Sequence, residues 1–143
     1  MEDKIIIKNA NAVLKTELNG IKKLSKILDK NFSNIISKLS TAKGRVIFTG
    51  IGKSGHIAKK ISSTMSSIGT PSQFCHSTEM SHGDLGIIKK NDIVIILSNS
   101  GDSTELKGVI NFCKKNKIFS IGISSNKNSN LIKSVNLSLI IPS

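Results

Sequence analysis

The chain has 143 residues, 38% hydrophobic and 21% charged, which suits one domain with a single core and excludes disorder. Its formal charge of +12 invites a nucleic-acid reading, but the basic side chains are twenty lysines and one arginine, Arg45, and Trp and Tyr are absent. Nucleic-acid readers favour the arginine fork and stacking aromatics, so no nucleic-acid partner is expected. Lysine, isoleucine and asparagine share A/T-rich codons, and the charge is read as following genome composition.

No apolar run approaches the roughly 18 residues that a membrane helix needs, so no membrane partner is expected. The start, Met1-Glu2-Asp3-Lys4-Ile5, lacks the basic region and cleavage site of a signal peptide, which makes a cytoplasmic protein the expectation. Cys75 and Cys113 form no C-x-x-C pair and offer no disulfide framework. Cys113 reads as core, while Cys75 stands beside His76 at the end of a strand.

Residues 5–28 read as a helix in which Ile7, Leu14, Ile21 and Leu28 recur every seven, flanked by Val13, Leu18, Leu24 and Ile27. Such a stripe suits packing on the domain itself or against a second subunit. A second helix is expected from Asn31 to Leu39. Lys43-Gly44 then turns into a strand, 45–49, followed by Gly50-Ile51-Gly52-Lys53-Ser54-Gly55. A helix marked by Ile57, Ala58, Ile61, Met65 and Ile68 ends at Gly69, and a short strand runs from Ser72 to Cys75. His76 to Gly86 reads as a polar loop, too rich in His, Glu, Asp and Gly to be a packed element.

Ile93-Val94-Ile95-Ile96-Leu97 is a continuous apolar strand of the kind buried on both faces of a parallel sheet. A third polar loop, Ser98 to Thr104, leads to a helix with Leu106, Val109, Ile110 and Phe112. A strand from Ile118 to Ile123, a Ser/Asn-rich loop, a short helix near 129–134 and a last strand, Leu137 to Ile141, complete the chain. Alternation of this kind predicts a doubly wound α/β fold, with N-terminal helices at 5–40 and a five-stranded parallel sheet core at 45–141. Ligands of such sheets bind at the carboxyl ends of the strands, where the three polar loops should converge.

A glycine turn opening a helix presents backbone N–H groups and the positive end of the helix dipole, which favour an anion. Gly50, Gly52 and Gly55 satisfy G-x-G-x-x-G, yet residues 70–76 lack the acid that a dinucleotide site requires. Gly52-Lys53-Ser54 imitates the end of a P-loop, but the loop's first glycine would fall at Ile47. No nucleotide cofactor is therefore expected. The spacing of His76, Glu79, His82 and Asp84 matches no standard zinc pattern, so no required metal is expected, and an acid–base role for His82 or Glu79 fits better. In Ser98-Asn99-Ser100-Gly101-Asp102-Ser103-Thr104-Glu105, Asp102 or Ser103 is expected to cap the next helix. The four hydroxyls around a glycine suit a phosphate.

Together, Gly50-x-Gly52-Lys53-Ser54-Gly55 and Ser98-x-Ser100-Gly101-x-Ser103-x-Glu105 resemble the sugar isomerase (SIS) domain. The longer set Gly52-Lys53-Ser54-Gly55-His56-Ile57-Ala58, Gly69-Thr70-Pro71, His82-Gly83-Asp84-Leu85-Gly86 and Ser98-Asn99-Ser100-Gly101 is similar to the D-arabinose 5-phosphate isomerases. That family interconverts D-arabinose 5-phosphate and D-ribulose 5-phosphate on the way to the Kdo sugar of lipopolysaccharide. The resemblance implies catalytic roles for Lys53, His82 and Glu105. It implies substrate contacts at Gly69, Thr70 and His76, with His76 also matching a site of inhibitory zinc, and it implies a homotetramer with no required cofactor. Gly52, Ser54, Ser98, Ser100 and Ser103 are expected to hold the phosphate. In the expected enediol mechanism Glu105 is the first candidate base, His82 works at the sugar oxygens, and Lys53 steadies the enediolate; the reverse assignment of Glu105 and His82 stays open.

Two departures from the family stand out. Ser77 replaces a usual proline, and the chain stops at Pro142-Ser143 where the family continues with a helical segment and often CBS domains. A C-terminally incomplete single domain over 1–143 without CBS domains is expected, and the alternative to an enzyme is a non-catalytic phosphosugar-binding module or sensor.

Overall fold

A computed structural model describes residues 2–142 of the chain. Five strands, β1 (Val46–Gly50), β2 (Ser72–His76), β3 (Ile93–Leu97), β4 (Phe119–Ser124) and β5 (Leu137–Ile140), form one sheet in the order β2-β1-β3-β4-β5. Every pairing is parallel, and Gly50 stands opposite both His76 and Leu97. The expected doubly wound sheet is therefore the architecture of the protein. Its strand order reverses between β1 and β3, which opens a crevice at their carboxyl ends.

Five helices accompany the sheet: α1 (Glu2–Leu24), α2 (Lys30–Ser40), α3 (Gly52–Ser67), α4 (Ser77–Ser81) and α5 (Leu106–Lys115). Strand periodicity divides the core in two. Val46, Phe48, Ile93 and Ile95 pack with Ile35 of α2 and Ala58 of α3 on one face. Ile47, Val94 and Ile96 pack with Met80 of α4 and Val109 and Cys113 of α5 on the other. β1 and β3 are buried at every position, as strands covered on both faces must be.

Three expectations change. Residues 77–81 are not a loop: His76 caps a single helical turn whose Ser77 and Met80 are fully buried, while its other side chains stay outside the core. Ile57 of α3 and Ile68 at its C-cap point to solvent at 57% and 74% exposure, while Gly55, Ala58 and Ser62 face the sheet. Near 129–134 only a 3-10 turn forms, at Ile132–Ser134.

The first helix carries none of the core. No residue of α1 is buried, and Ile7, Leu14 and Ile21 are each about 60% exposed. In its C-terminal half, Gly20, Ile21 and Leu24 border a cleft with Ile141 and Pro142.

At the amino-terminal end of the sheet a buried carboxylate ties the turns together. Asp92 accepts from the Arg45 N–H at 2.8 Å, the Arg45 guanidinium at 2.9 Å and the Lys89 N–H at 2.9 Å. Burial by itself would raise its pKa, but those hydrogen bonds and the guanidinium charge hold it below the usual carboxylate range. Among the described residues no buried side-chain nitrogen or oxygen lacks a partner.

Candidate functional site

The glycines after β1 let strand and helix meet closely. A Cβ on Gly50 would stand 2.9 Å from the Leu97 carbonyl, and one on Gly55 would stand 2.9 Å from the Gly50 carbonyl. Gly52 starts α3 at φ +53, a conformation that other residues adopt only with strain. Ile51, at the N-cap, supplies no side-chain oxygen, so the first-turn N–H groups of α3 stay open to solvent or ligand. The turn offers an anion backbone donors at the positive end of the helix dipole.

Ser54, Ser98, Ser100 and Ser103 come together here, lining a crevice of about 340 Å3 with Ile51 and Leu106. Ser98 is nearly buried, and its hydroxyl accepts from the Gly101 N–H at 3.0 Å. Gly101 has φ +71, and a Cβ there would overlap the Ser129 hydroxyl, so the loop can take this shape only with glycine.

The segment after β4 braces that loop. Ser124 and Ser125 donate their hydroxyls to the Asn99 carbonyl, each at 2.9 Å, and Leu131 N–H donates to the Gly101 carbonyl at 3.0 Å. Asp102 is not a helix cap: its carboxylate accepts from the Asn130 N–H at 2.8 Å and the Asn126 amide at 3.3 Å. Ser103 is not the cap either, since the N-cap position of α5 falls on Glu105. Asn126, Asn130 and Ser129 support the site, and the motifs of the sequence single out none of them. The available signal is the Ser/Asn-rich stretch after a strand at the same end of the sheet.

A second cleft, of about 570 Å3, opens on the other side of the same helical turn. Gly52, His56 and Lys59 of α3, Phe74 and His76 of β2 and Glu79 of α4 line it. The Nδ1 atom of His76 accepts from the Thr78 N–H at 3.4 Å, leaving Nε2 for other partners. The ring meets Phe74 edge-on at 6.4 Å. Ser77, standing where the resembling family has proline, uses its hydroxyl in a buried 2.8 Å bond with Thr49 and so anchors α4 to β1.

The remaining predicted residues line neither cleft. Lys53 is exposed on the first turn of α3 between Gly52, which lines the larger cleft, and Ser54, which lines the serine crevice. Glu105 is exposed two residues beyond Ser103 and accepts from the Thr104 hydroxyl at 3.1 Å. His82 follows α4, exposed, and lines neither cleft. Gly69, at φ +90, and Thr70 precede β2 and so stand at the amino-terminal end of the sheet, away from both clefts within one chain.

Among the described residues no three His, Cys, Asp or Glu side chains gather closely enough to hold a metal ion. Cys75 lies next to His76 but is buried, and that burial, reinforced by the Asp84 charge, raises its thiol pKa to about 11. Burial alone takes Cys113 to about 12. Neither thiol is poised as a nucleophile. No helix among the described residues is long and apolar enough to cross a membrane.

The family model described as the SIS domain matches residues 38–143. The arabinose 5-phosphate isomerase KdsD of Francisella tularensis is 43% identical over 93% of this chain and 42% of its own length. The chain spans about two fifths of the length of the curated relatives it matches. An Escherichia coli CFT073 protein solved in complex with arabinose 5-phosphate is 38% identical, with a TM-score of 0.81 over 94% of this chain and 74% of that one. A putative sugar-phosphate isomerase from Listeria monocytogenes is 27% identical and superposes with a TM-score of 0.93 over 99% of this chain and 74% of that one. By sequence over residues 38–143 and by the arrangement of its sheet, the chain belongs to the SIS domain family.

Proposed function

We propose that the chain is the phosphosugar-isomerase domain of an arabinose 5-phosphate isomerase, interconverting D-arabinose 5-phosphate and D-ribulose 5-phosphate through an enediol. The observation that carries this reading is the meeting of the serine crevice and the His/Lys/Glu cleft at one helical turn, with Lys53 between them. The curated relative's name and the sugar-phosphate complex of the Escherichia coli neighbour support arabinose 5-phosphate as the substrate.

The phosphate lies against Ser54, Ser98, Ser100 and Ser103 and the open N–H groups of α3. A base removes the C2 proton of the aldose as the C1 carbonyl oxygen gains a proton, giving the enediol. Loss of the O2 proton and protonation of C1 then leave the carbonyl at C2. Glu105 is the first candidate for the carbon acid–base steps and His82 for the oxygens, with the Lys53 ammonium stabilising negative charge that develops on the enediolate.

The reaction is redox-neutral, because the hydrogen lost by C2 is replaced at C1, so it needs no net oxidant, and the proposed mechanism uses no metal. Activity should survive chelation, and added zinc should inhibit through His76. The proposed place of the reaction is the cytoplasm, in the supply of Kdo for lipopolysaccharide. The proposed assembly is a homo-oligomer, a tetramer as in the family, to which the apolar stripe of α1 contributes. Leu14→Glu with Ile21→Glu should lower the mass seen by sedimentation while the sheet still melts cooperatively.

A non-catalytic sugar-phosphate module is the second reading. It is favoured by His82 and Glu105 lining neither cleft. The test is incubation with arabinose 5-phosphate and detection of the ketose, beside a chain extended past Ser143. Binding without conversion by both overturns the isomerase reading.

A further inference from the structure

The serine crevice is uniform in its polar chemistry, offering hydroxyls, one amide and no charged side chain. Its polar side chains are Ser54, Ser98, Asn99, Ser100 and Ser103, which suit a phosphate group. The larger cleft has a different character. His56 and Lys59, three residues apart on α3 and therefore on one face, supply donors. His76 has Nε2 available, Glu79 supplies acceptors, and Phe74 adds an apolar ring. A second phosphate would meet the Glu79 carboxylate, whereas a polyol needs donors and acceptors side by side with a surface for its C–H groups. The volume of about 570 Å3 lies within the range of small-molecule pockets, roughly 300–1,000 Å3.

The two compartments share one helical turn. Gly52 borders the larger and Ser54 the smaller, so the two clefts flank the first turn of α3. A molecule with its phosphate among the serines would have to cross the N-terminal end of α3, beside Lys53, to place its far carbons in the larger cleft. Gly52 carries no Cβ to stand in the way, with nothing within 4 Å of where one would be.

Resting on the phosphosugar reading above, we propose that the cleft between α3 and β2 is the polyol subsite and that His56 and Lys59 determine which sugar phosphate the site accepts. They are exposed, so replacing them leaves the core intact. Motif reasoning assigns a role to neither residue. His56 belongs to the Gly52–Ala58 run, but its role there emerges only once α3 stands beside β2.

The experiment is calorimetric titration of the full chain with arabinose 5-phosphate, ribose 5-phosphate and glycerol phosphate, the last filling only the serine crevice. The unaltered chain should bind one pentose phosphate at least about tenfold more tightly than glycerol phosphate, as a few charge-assisted hydrogen bonds require. His56→Ala and Lys59→Gln should each remove most of that margin while glycerol phosphate binding stays within about twofold. Lys60→Gln, an exposed lysine of the same helix lining neither cleft, should change neither. Equal loss for both probes, or an unchanged margin in both variants, overturns the proposal. An unaltered chain that binds glycerol phosphate with no preference for a pentose overturns it too and leaves the phosphate crevice standing. A His56-dependent margin in a chain that never converts its ligand supports the subsite and removes only the enzyme. Binding of no probe removes both.

Discussion

At the amino-terminal end of the sheet, the buried Asp92 carboxylate is answered within the chain by Arg45 and the Lys89 N–H. At the carboxyl-terminal end, Lys53, His56 and Lys59 make no hydrogen bond or ion pair among the described residues, and the first turn of α3 has no side-chain cap. Both ends have glycine turns and charged loops. The difference is where their polar groups find partners. A group answered internally fixes the connections between strands; one left open keeps its binding free energy for a ligand. The serine crevice combines the two: Ser98, Gly101 and Asp102 are held by the chain so that Ser54, Ser100 and Ser103 can face outward together.

The largest expected effect comes from the open end. Glu105→Gln should lower turnover by roughly 10²- to 10⁴-fold with little change in melting temperature, as removal of a general base does. Near-normal turnover in a steady-state assay takes Glu105 out of the catalytic set.

At the closed end the effect should fall on stability. Asp92→Ala removes a buried carboxylate and its hydrogen bonds, and should cost roughly 2–3 kcal/mol in urea unfolding. Since the folded-state pKa of Asp92 is depressed, its contribution is complete above the unfolded value near ~3.9 and is lost as pH falls through the lower folded value. The gap between the unaltered chain and the variant should be constant above about pH 5 and should shrink below about pH 4. A gap that widens on acidification contradicts this account.

Gly101→Ala tests the mixed region. The positive φ and the overlap with Ser129 should cost about 1–3 kcal/mol and weaken phosphate binding as well, because the loop that aims Ser100 and Ser103 must move. Gly52→Ala has the same backbone penalty without a clash and should cost less; equal costs show that strain alone governs both positions.

The smallest expected signal is chemical. Cys75 borders the open end yet should resist thiol reagents at about pH 7.5 in the folded chain, as Cys113 should, with labelling only on unfolding. Rapid labelling of Cys75 shows that α4 lifts away from the sheet.

Much of this is legible in the residues. The central strands β1 and β3 announce themselves as apolar runs, and the glycine turn after β1 marks where helix and strand approach too closely for a side chain. The serines of the third loop are legible for a related reason, since hydroxyl density after a buried strand has few uses other than anion binding. The helical turn at 77–81 is hidden because Ser77 and Met80, its two buried residues, sit among polar neighbours. Ser77 is buried only because its hydroxyl pairs with that of Thr49. The cap expected at Asp102 fails for a similar reason: a carboxylate before a helix has a local use, and a distant pair of asparagines takes it instead.

By itself the sequence determined what depends on neighbours along the chain: periodicity, turn chemistry, the parallel α/β plan and the anion-friendly start of α3. The tertiary structure alone decided which polar groups are satisfied and which remain open. Asp102 is held from 28 residues away, Arg45 is tied to Asp92 across 47, and His56 shares a cleft with His76 only because β2 pairs with β1. Those partnerships follow from chain packing in three dimensions, where a local pattern constrains the type of residue but not the side chain that reaches it.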